Sequence, residues 1–332
     1  MSIQFKTLRN SNISRLVYFL GQLDDVILST YDIDSMRLLV TLTEKYCYKY
    51  RVMLVQSNTK LLGFATSKQK HSLEHAKLIN PVTINSLPVK FVDEAEHVGV
   101  IRNTSGNMPN IANRITSHKK AMASVLSAGL AKNHNGNPMA SLKVHQLYGT
   151  PVLFSGLATL VLTKPEITLI DGHYQKTVRI LQKLHDKTPK SIVFLLAGCL
   201  PGEAILHQKQ LTLFLMICHL PNNPLNYHAK HVLLSASASA KSWFLNIRQI
   251  CLQYGLDHPL QLLEHPPAKI HFKKMAKEQI TLYWEDVLRD EAANLPSLHY
   301  FIANNWSLRT PHLIWQQAAT VLNARRVLFC QR

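Results

Sequence analysis

At 332 residues, with 46% hydrophobic and 17% charged residues, the chain can bury a sizeable core and divide into two or three domains, which excludes a disordered protein. Lys and Arg number 37 against 20 Asp and Glu, a formal net charge of +17, so the chain attracts polyanions: nucleic acid first, with an anionic membrane surface or an acidic protein as rivals. No run reaches the ~18 apolar residues of a membrane-spanning helix, and the amino-terminal Met-Ser-Ile-Gln-Phe-Lys lacks the order of a secretory signal.

The expected location is therefore intracellular, in the nucleus or cytoplasm, with no membrane partner. Cys47, Cys199, Cys218, Cys251 and Cys330 are scattered and never form C-x-x-C, so they read as free buried thiols with no disulfide-linked partner. The longest apolar runs, Ser191 to Leu200 and Leu211 to Leu220, read as core helices.

Val17 to Leu20 and Val26 to Leu28 are short β-prone runs on either side of Gly21-Gln22-Leu23-Asp24-Asp25, the pattern of a hairpin with acids at its tip. Asp32 or Asp34 offers an N-cap to a helix from Met36 to Tyr50, with Leu38, Leu39, Leu42, Tyr46 and Tyr50 on its packed face. Further strands are predicted at Arg51 to Val55, Lys60 to Phe64, Val89 to Val92 and His97 to Ile101. From Asn107 the periodicity is helical, with Ile111, Ile115, Met122, Val125, Leu126 and Leu130 on one stripe. Pro138 suits the start of the next helix, which Pro151 is expected to break near Tyr148. Later helices are predicted from Pro165 to Leu184 and at 202–219, 237–254 and 268–292.

An Asp-Asp pair at a hairpin tip can present hard oxygen ligands to Mg²⁺. Two such ions about 3.5–4 Å apart activate an attacking hydroxyl and stabilise a leaving pyrophosphate, provided that a neighbouring strand supplies another carboxylate. Taken alone, the pair is weak evidence and reads first as a solvated turn.

The surroundings add a resemblance. Gln22-Leu23-Asp24-Asp25-Val26-Ile27-Leu28, then a helix, a lysine-containing strand and His97-Val98-Gly99-Val100, resemble the closing palm elements of a non-LTR (LINE-type) retrotransposon reverse transcriptase. Leu147-Tyr148-Gly149-Thr150-Pro151-Val152-Leu153, Lys164 to Leu184, Leu195-Leu196-Ala197-Gly198 with Leu200-Pro201-Gly202, and His207 to Leu220 resemble the following thumb. Tyr283 to Glu291, Leu295 to Leu298 and Pro311-His312-Leu313-Ile314-Trp315 are similar to the tail of the same group. The likeness is collinear from about residue 14.

That resemblance implies an α+β protein: a partial polymerase palm, a small antiparallel sheet with a helix, over residues 1–105; a mostly α-helical thumb over 106–200; and a C-terminal helical region over 201–332. It implies that Asp24 and Asp25 are the catalytic, Mg²⁺-binding pair of an RNA-directed DNA polymerase, a nucleotidyltransferase. Val98 and Gly99 would form the primer grip. Arg114, Lys119, Lys120, Lys143, Lys176 and Arg179 would meet the phosphates of an RNA template and DNA primer duplex.

The chain departs from the family pattern in three places. Gln22 and Leu23 precede the acids where an aromatic or small residue is usual, and Val55 and Asn58 stand where the family has Asn and Lys, with Lys60 displaced by two. Residues 1–23 contain no Asp or Glu. The upstream metal aspartate, the fingers and an endonuclease are thus expected to be missing, as in a truncated or decayed copy that is inactive alone. Two rivals remain: a non-enzymatic basic helical nucleic-acid-binding protein, and a structural helical protein. His71-Ser72-Leu73-Glu74-His75 has zinc-peptidase spacing but sits among lysines without a third ligand, and reads as an exposed loop. His228 and His231 are a pair of the kind that 17 histidines make common. Trp243, Phe244, Tyr254, Tyr283 and Trp284 read as core.

Overall fold

The computed structural model describes residues 18–22, 25–30, 32–64, 82–97, 99–125, 127, 138–237, 240–295 and 307–317. It is a mixed α+β protein, mostly helical with a few small sheets, and forms two compact units, Met1–Pro109 and Asn110–Arg332. Among the described residues no single helix is long and apolar enough to cross a membrane. Cys47, Cys199, Cys218 and Cys251 are free and buried, as expected; Cys330 lies outside the described residues.

In the first unit, β1 (Tyr18–Gln22) and β2 (Asp25–Ser29) pair antiparallel from Tyr18↔Ser29 to Gln22↔Asp25, where the sequence places a hairpin. Helix α1 (Ile33–Lys49) follows, its first turn capped by the Asp32 carboxylate, which accepts from Ser35 N at 2.7 Å. Val40 packs with Val82, Ile84 and Val89, and with Leu28, Met36 and Leu61 around them.

The packed face of α1 corrects the sequence reading. Leu38, Leu42 and Tyr50 are exposed, and the buried stripe is Ser35, Leu39, Val40, Thr43 and Cys47, displaced by one residue or about 100°. Thr43 hides this stripe from a hydrophobicity pattern. Buried, its hydroxyl is satisfied by the Leu39 carbonyl at 2.8 Å.

No strand forms at Arg51 to Val55. Arg51 takes φ 55° and Val52 N donates to Cys47 O at 2.9 Å, so this segment begins as the left-handed C-terminal cap of α1. Short strands follow: β3 (Lys60–Leu61), β4 (Thr83–Ile84), β5 (Leu87–Pro88), β6 (Lys90–Phe91), β7 (Glu94–His97) and β8 (Val100–Asn103). They pair as β4–β5 and β7–β8 antiparallel and β3–β6 parallel, so the described strands make separate two-stranded ladders. His97 to Ile101 is therefore not one strand. It straddles a turn between β7 and β8, and the unforeseen β4–β5 hairpin turns on Asn85 and Ser86, both at positive φ.

Helix α2 (Met108–Val125) leads into the second unit. Helix α3 (Pro138–Val144) begins at its proline as predicted, but Pro151 does not end the helical path. A π-helical turn, His145–Gly149, carries the chain into α4 (Thr150–Phe154). The wider i→i+5 turn relieves the clash that a proline ring makes with the carbonyl four residues back.

Next come α5 (Lys164–Leu181), α6 (Lys190–Ala197), α7 (Gly202–Cys218), α8 (Pro224–Ser235), α9 (Trp243–Gln253), α10 (Pro259–Glu264), α11 (Lys269–Ala293) and α12 (Leu313–Gln317). The single helix predicted at 237–254 is thus α9 alone, and starts later; α8 was not foreseen. Helix α5 is held at its start by a capping box between Thr163 and Glu166. Helix α7 is the hub, packing on α5 and on α8 to α11, and α6 is buried throughout Ser191–Ala197.

A buried polar joint fixes this hub. Asp171 of α5 accepts from Gly202 N, in the first turn of α7, at 2.7 Å and pairs with Lys190 Nζ of α6 at 2.7 Å. An acid there also complements the positive end of the α7 dipole. Gly198, at φ 58°, ends α6 where Thr310 and Pro311 press against its Cα; a Cβ there would stand 2.2 Å from the Thr310 backbone. His312 N donates to Leu196 O beside it, and Trp315 Nε1 reaches the buried Gln182 Oε1 at 2.9 Å.

Candidate nucleic-acid interface

The sequence-derived site residues fall in both units. In the first, Asp25 opens β2 opposite Gln22, and only Leu23 and Asp24 separate these partners along the chain. Asp24 itself lies outside the described residues. Val98 and Gly99, expected to form a primer grip, are likewise the two residues between the paired His97 and Val100. Gly99 takes φ 71°, a left-handed value that a tight hairpin demands and glycine adopts without strain, while Val98 lies outside the described residues.

In the second unit, Lys119 and Lys120 are exposed on α2, Lys143 is exposed at the end of α3 and Lys176 is exposed on α5. Arg114 and Arg179 are half-buried, and Arg179 Nη2 lies 3.6 Å from the Asp186 carboxylate. The four lysines therefore offer their charge to solvent more fully than the two arginines.

Lys119 and Lys176 are brought together around His173, whose pKa is lowered by burial first and then by these two cations. His173 is the outer end of a chain of three imidazoles that the sequence reading missed. Its Nε2 lies 2.9 Å from His118 Nδ1, and His118 Nε2 lies 3.1 Å from Nε2 of His145, the first residue of the π turn. His118 and His145 are each 1% exposed, and His145 Nδ1 is buried with no hydrogen-bond partner.

Proton counting fixes the tautomers. If His118 Nδ1 donates to His173 and His145 Nε2 donates to His118, both contacts are satisfied and His145 Nδ1 is left as a bare lone pair. The reverse direction leaves a buried N–H at His145 Nδ1 without an acceptor, the costlier outcome. Any added proton that keeps both contacts also forces a hydrogen onto that atom. The chain is thus built to stay neutral, and the pKa values follow: His118 is pushed down to about 4 and His145 to about 3, by burial first and neighbouring imidazoles second.

One signal in the sequence could have found His118. It falls on the stripe Ile111–Ile115–His118–Met122 of α2, a polar residue at a core position. Of the decoys, His228 is half-buried with its ring edge-on to Phe244, and His71 and His75 lie outside the described residues. Phe244, Tyr254 and Trp284 are core, as expected, whereas Tyr283 is exposed. Compared with protein-family models, curated proteins and solved structures, the chain matches none.

Proposed function

We propose that the chain is the palm-hairpin and thumb portion of a non-LTR reverse transcriptase, and that by itself it holds a template–primer duplex rather than extending it. The observation that carries the reading is the β1–β2 register. Gln22 pairs with Asp25, so Asp25 is the first paired residue of β2 and only two residues of sequence join the strands; a polymerase palm carries its Mg²⁺-binding acids at a hairpin of this kind. A two-metal centre requires a further carboxylate beside this hairpin. Holding the duplex falls to Lys119, Lys120, Lys143 and Lys176, exposed side chains that can neutralise backbone phosphates.

A second reading, a basic helical nucleic-acid-binding protein without polymerase ancestry, is favoured by the same exposed lysines and needs no acids at the hairpin. Primer extension in Mg²⁺ or Mn²⁺, run beside a binding titration on an RNA–DNA hybrid, separates the cases. Incorporation abolished by Asp24→Asn would assign the acids to polymerisation and overturn the holding-only role. Salt-sensitive hybrid binding without synthesis, weakened about tenfold by the Lys119, Lys120, Lys143 and Lys176→Gln variant, assigns the holding role. Absence of both contradicts the proposal.

A further inference from the structure

Helix α11 carries its charges the wrong way round for a helix. Its first nine residues hold Lys269, Lys273, Lys274 and Lys277 and no acid; the remainder holds Glu278, Glu285, Asp286, Asp290 and Glu291 with Arg289 alone opposing them. The amino-terminal end of a helix is its positive pole, so cations there repel the macrodipole and acids at the far end do the same. Local stability would select the opposite order.

The four lysines are all exposed, and none forms an ion pair among the described residues. The nearest acid on the helix, Glu278, is engaged by Arg309 at 3.5 Å. Lys269, Lys273 and Lys277 repeat every four residues, so their positions run along one side of the helix over about 12 Å. Lys274 flanks that line. Half-buried Lys209 of α7 lines the same groove as Lys273, together with Phe272, Ala276, Gln208 and Thr212.

We infer that this lysine array, with Lys209 of α7, is a second surface for the sugar-phosphate backbone of a nucleic acid, beyond the face formed by α2, α3 and α5. The inference rests on the reading that the chain binds nucleic acid and extends the contact into the region after residue 200, to which the sequence reading gave no role. A strand presents one phosphate per ~3.4 Å of duplex axis, so a 12 Å line spans three or four of them. A membrane surface fits less well. A helix that lies in a membrane interface must have its apolar face free, and the apolar face of α11 (Phe272, Ala276, Ile280, Trp284 and Leu288) is buried, with α11 packed on α6 and α7.

The experiment compares the full chain with two variants: Lys269, Lys273, Lys274 and Lys277→Gln in α11, and Lys119, Lys120, Lys143 and Lys176→Gln. A labelled 20-base-pair RNA–DNA hybrid is titrated between 50 and 200 mM salt. The α11 variant is expected to bind at least tenfold more weakly at 100 mM salt, with the slope of log K against log salt shallower by about 3. Its Tm should hold or rise by about 1–3 °C, because the dipole conflict is relieved; a variant that had lost binding by misfolding would melt earlier. Wild-type affinity and slope in the α11 variant, with loss in the other, overturn the inference and leave the proposed function standing. Absence of wild-type binding overturns both. A loss confined to phosphatidylserine vesicles or to polyglutamate, with hybrid binding intact, also overturns it.

Discussion

His118 and His145 face each other through their Nε2 atoms at 3.1 Å, in a site where neither ring can take up a proton without burying an N–H that has no acceptor. In the unfolded chain the same rings titrate near 6.5, whereas in the fold they are held at about 4 and about 3. His207, buried against the Tyr254 hydroxyl at 2.8 Å, is likewise held at about 4.

As pH falls, the unfolded chain therefore binds protons before the folded one does. The stability contributed by these neutral rings is complete above about pH 6.5 and is lost progressively as pH drops toward 4 and 3. Each ring gives up about 2 kcal/mol by pH 5, from about 1.4 kcal/mol per pH unit. Urea denaturation of the second unit should show a clearly lower midpoint at pH 5.0 than at pH 7.5. A flat profile between those values would refute the neutral chain.

Gly149 tests the same packing from the side of the π turn. A Cβ there would stand 2.5 Å from His145 Cδ2 and 2.7 Å from Met122 Sδ, while one at Gly172, exposed on α5, would meet nothing within 4 Å. Gly149→Ala should destabilise by about 1–3 kcal/mol, as overpacking does, despite the better helix propensity of alanine. Gly172→Ala should stabilise by about 0.4–1 kcal/mol. Thermal melts of the two variants should move in opposite directions, and shifts of the same sign would count against the geometry.

Asp171 offers a test of the hub. Its carboxylate is 7% exposed and serves both Gly202 N and Lys190 Nζ. Asp171→Ala strands a buried N–H and removes the partner of a lysine that is largely covered, at a cost of about 2–3 kcal/mol. Asp171→Asn keeps an acceptor for Gly202 and should cost about half as much. Equal losses in urea titrations of the two variants would show that the Gly202 bond contributes nothing.

How much of this was legible in the sequence depends on how local each signal is. The β1–β2 hairpin and the α3 start at Pro138 are written in a few adjacent residues, and both were read correctly. The face of α1 was misread by one residue because Thr43 and Ser35 are polar letters whose hydroxyls are satisfied inside the fold. The helical passage through Pro151 escaped because a π turn accommodates what an α-helix would not. The imidazole chain escaped for another reason. His118, His145 and His173 are 27 and 28 residues apart, and only the packing of three segments makes them a unit. The charge order of α11 was legible throughout, but it acquires meaning only once the other face of the helix is known to be buried.

In the proposed function, exposed lysines of the second unit grip a nucleic-acid backbone. The measurement that tests this most directly is the salt dependence of the full chain's affinity for an RNA–DNA hybrid, followed by fluorescence anisotropy. Engagement of at least five phosphates predicts a straight line of log K against log salt with a slope of about −4 or steeper. A slope near zero, or no binding at 50 mM salt, would contradict the account.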